Sequence, residues 1–196
     1  MILRPSNPTS YCSTEDFLYV NHHVAISPRS RIPVTGVLAS VELVRANREP
    51  IETASPTTTT YDVFTFNNDE LGYSTLPDSK FDSIVGIIEN LGGRVDMSSG
   101  YVNVVMENCF DELINMLPDI RYRLAHEIDG AIVPVIDIIL EANEFVKLTS
   151  NRALCELKIE PERHFGAFRI DPIVSSGMSV FYDYQNNRFG LCDATD

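Results

Sequence analysis

The sequence predicts an all-β, mainly antiparallel fold with one main helix near residues 79–91. Two observations carry that expectation. Short runs rich in β-branched and aromatic residues recur along the chain, each bounded by Gly, Pro, Asn, Asp or Ser clusters. Only one stretch shows a sustained helical period: Phe81, Ile84, Val85, Ile88 and Leu91 fall three and four apart and make one apolar stripe. A chain of 196 residues, 44% of them hydrophobic, can bury a proper core as one large β domain or two small ones.

The elements follow in order. Residues 1–16 are rich in Pro, Ser and Thr and read as an N-terminal arm, leaving 17–196 for the folded part. Phe17–Ile26 has strand composition and stops at the turn Ser27-Pro28-Arg29-Ser30. Thr35–Val44 is the next strand, and its tail alternates apolar and polar as a half-buried strand should. Ala46-Asn47-Arg48-Glu49 is a hairpin-type turn from which Pro50-Ile51 returns, and Ser55–Thr60 is a low-complexity linker. Val63, Phe64 and Phe66 form a buried strand that ends in the polar loop Asn67-Asn68-Asp69-Glu70. After Leu76-Pro77 comes the helix. Asp78 or Ser79 is placed to cap it, and Gly92-Gly93 ends it, because glycine enters the left-handed region freely.

The rest reads as short strands. They are Arg94–Met97, Tyr101–Met106, Ile120–Ala125, Ile132–Leu140, Glu144–Lys147, Ala153–Ile159, Phe165–Ile170, Met178–Asp183 and Arg188–Leu191. Ser98-Ser99-Gly100 turns between the first two, and Asn186-Asn187 makes a tight hairpin between the last two.

Charge narrows the function classes. The formal net charge is −13, from 15 Lys and Arg against 28 Asp and Glu. A nucleic-acid surface needs clustered cations to neutralise phosphates, and an anionic membrane surface needs the same. Neither partner is expected, and the acidity reads as serving solubility. No run of apolar residues is long enough to span a bilayer. The first residues lack an apolar core, so no signal peptide is expected there.

Candidate chemistry is sparse. Asp69 and Glu70 offer two carboxylates on one loop, although adjacent residues seldom converge on one substrate atom. His22 and His23 would point to opposite faces of a strand, which defeats a shared metal. His126 and His164 stand alone, and Ser175 and Ser176 lack a nucleophile-elbow context. No metal or other cofactor is expected. Cys109 and Cys155 suit either a structural bridge or two buried thiols. Cys12 and Cys192 lie near the two ends, which often meet in compact domains, so they form a second candidate pair.

The back half resembles the C-terminal lobe of pepsin-like aspartic proteases. The best match is Ser179–Leu191, SVFYDYQNNRFGL, which is similar to that family's closing strand, x-x-N-N turn and final strand. Asn108-Cys109 followed by Leu117-Pro118-Asp119-Ile120 resembles the family's cysteine and L-P-D-I run, and Cys155 falls where that cysteine's partner is expected. Asn143-Glu144-Phe145-Val146 resembles the edge before it. Thr35–Ile51, Leu76-Pro77 and the helix fit the same frame, so the resemblance covers roughly 17–192 as an ordered series.

The departures fall on the catalytic hallmarks. The family's buried strand delivers D-T-G or D-S-G with its Asp nine positions before the Pro. Counting back from Pro77 gives Asn68, and the triplet is Asn68-Asp69-Glu70. An amide takes neither role of an aspartic dyad, in which one carboxyl acts as base and the other as acid. A one-residue shift would install Asp69 but set Glu70-Leu71 where T-G belongs. Phe168-Arg169-Ile170-Asp171 lies over the family's W-I-L-G, so Asp171 replaces the glycine beside the catalytic loop. The resemblance therefore implies an inactive lobe that binds or scaffolds through Asn67, Asn68, Asp69, Glu70 and Asp171. Its expected partner is an N-terminal protease-like lobe or another subunit. Two other readings stand beside it: one half of an active aspartic endopeptidase whose catalytic Asp comes from elsewhere, and an unrelated β-rich interaction domain. The resemblance favours the secretory pathway or the extracellular space.

Overall fold

A computed structural model describes residues 18–21, 36–45, 47–51, 62–66, 73–129, 131–150, 153–162, 168–170, 178–183 and 188–193. Strands dominate, and most of their pairings are antiparallel. The strands are β1 (Leu18–Asn21), β2 (Gly36–Val44), β3 (Asp62–Phe66), β4 (Ser74–Leu76), β5 (Arg94–Asp96), β6 (Val102–Val105), β7 (Asp119–Ile128), β8 (Ala131–Leu140), β9 (Val146–Leu148), β10 (Leu154–Leu157), β11 (Ile159–Pro161), β12 (Phe168–Ile170), β13 (Met178–Asp183) and β14 (Arg188–Asp193). Among the described residues three helices interrupt them: α1 (Asp78–Asn90), α2 (Cys109–Met116) and α3 (Ala142–Phe145).

Among the described residues the strands form four sheets. A five-stranded sheet runs β12-β3-β2-β7-β8, and a four-stranded sheet runs β5-β6-β10-β9. A three-stranded sheet has the order β1-β14-β13, and β4 pairs with β11 alone. The core lies between the two larger sheets and under α1 and α2. Tyr122, Leu124, Ile120 and Ile138 come from the first sheet, Val104, Cys155 and Leu157 from the second, and Phe81, Ile84, Ile88 and Leu113 from the helices.

The helix α1 forms where its stripe predicts, with Phe81, Ile84 and Ile88 buried. Its start differs from expectation. Pro77 occupies the N-cap position in an extended conformation and no side chain caps the helix, so neither Asp78 nor Ser79 does that work. Asp78 still sits in the first turn, where a negative charge meets the positive end of the helix dipole. The stop is as expected. Gly92 takes φ +82, the Gly92 amide donates to the Glu89 carbonyl at 2.9 Å, and the Gly93 amide donates to Ile88 at 2.9 Å. Those two bonds satisfy carbonyls the helix end leaves open.

Two further helices correct the sequence reading. The stretch from Cys109, given no element in the sequence, is the eight-residue α2, with Cys109 and Leu113 buried four apart on one face. Glu144–Lys147, read as a strand, is split. Ala142–Phe145 is a helical turn closed by reciprocal bonds between Glu141 and Glu144, and only Val146–Leu148 is extended. Ala153–Ile159 is likewise two strands, β10 and β11, which enter different sheets.

The β7–β8 hairpin is longer than the sequence reading gave. Ile128 faces Ala131 across a two-residue turn, and Asp129 adopts φ +52, the left-handed conformation such turns require. Its strands carry a bulge: Ala125 pairs with Pro134 but Leu124 pairs with Ile136, leaving Val135 as the extra residue. A second bulge, at Ala39, lies across the same part of β7, between the pairs Leu38–Leu124 and Ser40–Arg123.

Candidate functional site

The expected site lies at the ends of β3 and β12. Asn67, Asn68, Asp69, Glu70 and Asp171 themselves fall outside the described residues, so the geometry that can be stated is that of the strands leading to them. β3 and β12 run parallel with Phe64 opposite Phe168, Thr65 opposite Arg169 and Phe66 opposite Ile170. The last described residues before Asn67 and before Asp171 are therefore register partners. A second parallel pair crosses behind the first. β4 pairs with β11, with Ser74 opposite Ile159 and Leu76 opposite Pro161. The chain thus passes from β3 to β4 and from β11 to β12, and each strand pairs with the other passage's strand.

Hydrogen bonds lock this crossing. The Ser74 amide donates to the Lys158 carbonyl at 3.0 Å, and the Glu162 amide donates to the Leu76 carbonyl at 2.8 Å. The buried Thr75 hydroxyl accepts from the Arg169 amide at 2.8 Å, tying β4 to β12. The Tyr122 hydroxyl, from the neighbouring sheet, donates to the Thr75 carbonyl at 3.1 Å. Burial pushes the Tyr122 phenol well above its ordinary range, so it is held as a donor. Phe64, Leu76, Phe168 and Ile170 supply the apolar packing. Arg169 forms an ion pair with Glu160 across the same crossing.

A second polar cluster adjoins the start of β4. The Tyr73 hydroxyl donates to Glu156, the Lys158 ammonium bonds the same carboxylate at 2.9 Å, and that ammonium stands 4.8 Å from the centre of the Tyr73 ring. Burial, the hydrogen bond to Glu156 and the carboxylate's charge all raise the Tyr73 phenol. The cluster ties Tyr73, just before β4, to Glu156 on β10 and to Lys158. Both bonds fall on the same Glu156 oxygen, Oε1.

Other predicted residues are distributed as follows. Cys109 and Cys155 are fully buried and joined, with sulfurs 1.98 Å apart, so the open choice between a bridge and two thiols resolves to a bridge. It ties α2 to β10. Cys192 lies in β14 opposite Ser179, while Cys12 is outside the described residues, as are His22, His23, His164, Ser175 and Ser176. His126 sits on β7 opposite Val133 and meets no second imidazole in the ladder. Among the described residues no cluster of His, Cys, Asp and Glu could hold a metal ion. No helix among them is long and apolar enough to cross a membrane.

The sequence reading missed one arrangement altogether. On the face of β2-β7-β8 turned away from the core, Glu42, Arg121, Arg123 and Asp137 form a closed quartet. Arg121 donates to Glu42 through Nε at 3.0 Å and again through Nη2. Arg123 donates to Asp137 at 2.9 and 3.1 Å. The diagonals also close, Arg121 to Asp137 at 3.8 Å and Arg123 to Glu42 at 3.7 Å. Ser40 adds a hydrogen bond to Glu42 at 2.9 Å. Burial pushes the Glu42 carboxyl up, but the Arg121 and Ser40 hydrogen bonds and the two guanidinium charges outweigh it, so it titrates below its ordinary value. The Arg123 hydrogen bond holds Asp137 below its ordinary value too, against partial burial.

No protein-family model matches the chain, and a search of curated proteins finds no match either.

Proposed function

We propose that this chain is a catalytically inactive pepsin-like lobe that works by binding, as a module paired with a second lobe or chain. The observation that most supports the reading is the parallel register of β3 and β12. The resemblance requires the strand ending before Asp171 to run beside the strand ending before Asn67, and Ile170 stands opposite Phe66. The Cys109–Cys155 bridge and a helix beginning two residues past the buried strand β4 agree with the same frame.

The inactivity rests on residue types. Asn68 stands where the family carries its acid, Glu70 where it carries glycine, and Asp171 where it carries a second glycine. A dyad needs two carboxyls sharing a proton, and Asn68 supplies none. The partner rests on the resemblance, since pepsin-like enzymes pair two lobes, and the three-stranded sheet is compatible with it. β1 and β13 both pair with the central β14, and among the described residues neither has a neighbour on its outer side. Such edges accept a further strand.

The test is direct. Purified protein is offered a pepstatin-type inhibitor and a mixed peptide library at acid pH, alone and with whatever chain co-purifies from its source. The expected result is neither inhibitor binding nor cleavage. Binding with cleavage would overturn the inactive reading, and a co-purified chain carrying D-T-G or D-S-G would establish half of a working endopeptidase in its place.

A further inference from the structure

The quartet sits where it can govern how the outermost strand of the large sheet is held. β8 is the end strand of the five-stranded order, and its only described neighbour is β7. Beyond Ala125 and Pro134 the hairpin continues past the last β2 pairing at Val37, and Glu127, Ile128, Ala131, Val133 and Pro134 are all exposed there. Two rows of side chains cross the base of this projection on its outer face. One row is Ser40, Arg123 and Asp137; the other is Glu42, Arg121 and Ile139. The quartet bridges the rows and spans all three strands.

We propose that Glu42, Arg121, Arg123 and Asp137 form an acid-labile clamp that fastens β8 and the hairpin tip to the body of the sheet. Each carboxylate serves both guanidinium groups, and the four charges sum to zero. Glu42 and Arg121 are only 8% and 9% exposed, so neither charge can fall back on water if its counter-charge is lost. Protonating both carboxyls leaves two cations side by side along the outer face of β7. The remaining partners do not replace the lost charge. The Arg48 carbonyl accepts from Arg121 at 3.3 Å, and the Ser40 hydroxyl can turn, but both are neutral.

The groups that face the quartet set the pH window. From β2 come Ser40 and Glu42, from β7 Arg121 and Arg123, from β8 Asp137, and from the turn after β2 the Arg48 carbonyl. β1 also lies against β7, and its residues Leu18, Tyr19, Val20 and Asn21 include no acid or base that titrates at low pH. His126 belongs to the tip, opposite Val133, outside the two rows that hold the quartet. Carboxyls held low contribute stability that is complete above their unfolded values and lost as pH falls through the folded ones. Release is therefore an acid event.

Amide hydrogen exchange on the full chain tests it, with rates corrected for the intrinsic effect of pH. Between neutral pH and about pH 3, protection over 136–140 should fall about tenfold more than protection over Asp78–Asn90 in α1. The Glu42→Gln, Asp137→Asn double variant should show the low β8 protection already at neutral pH, with little further loss in acid. Should that variant fail to fold, Asp137→Asn alone, whose side chain is 33% exposed, should show the same pattern at smaller amplitude. Equal acid loss in β8 and α1 would overturn the clamp. So would an acid loss in the variants as large as in the parent.

Discussion

The two faces of β2-β7-β8 are built from opposite chemistry. On the inner face Tyr122, Leu124 and Ile138 stack into the core at no more than 2% exposure. On the outer face the same strands join through Glu42, Arg121, Arg123 and Asp137. The inner face is held by area removed from water, which is indifferent to pH and only weakly sensitive to salt. The outer face is held by four charges whose balance is chemical and reversible. One sheet thus carries a permanent attachment on one side and a conditional one on the other.

Breaking the inner face should have the largest effect. Tyr122→Ala removes a fully buried ring and its hydrogen bond to Thr75, and should cost about 4 kcal/mol. Urea denaturation should give a similar loss at neutral and at acid pH. Breaking the outer face at its buried end should cost less and should depend on pH. Glu42→Ala leaves Arg121 buried without its main counter-charge, worth about 3 kcal/mol at neutral pH. The penalty should shrink as pH falls through the carboxylate range, because the parent then loses the same interaction. The smallest effect belongs to the exposed end. Asp137→Asn should cost about 0.5 kcal/mol at low ionic strength, and added salt should erase most of that difference. A pH-independent Glu42→Ala penalty would remove the contrast between the faces.

How far the sequence could be read follows from the range of each interaction. α1 was legible because its stripe is local, and the hairpin strands because their composition is local. α2 was passed over because eight residues give only two turns of period, although Cys109, Leu113 and Leu117 do carry it. The β7–β8 turn was announced by Asp129-Gly130, a strong hairpin signal that the reading did not use. The quartet was beyond reach. Glu42 and Arg121 are 79 positions apart and meet only through the β2–β7 register. Even Arg123–Asp137 could not be counted out from the turn. The pairing set by Ile128 and Ala131 would place Ile136 opposite Arg123, and the bulge at Val135 moves Asp137 there instead. The pairing of β4 with β11 was hidden for the same reason, whereas the place of β12 beside β3 was implied by the resemblance alone.

That bulge has another consequence. A ten-residue edge reading AIVPVIDIIL is, by composition, a template on which a second molecule could grow a ladder. Pro134 has no amide hydrogen to offer a newcomer, and Val135 breaks the even spacing of the groups on either side of it. The same residue that aims Asp137 at Arg123 therefore interrupts the edge for intruders. Regularising it, by Pro134→Thr with Val135 deleted, would be expected to promote fibril formation relative to the parent protein.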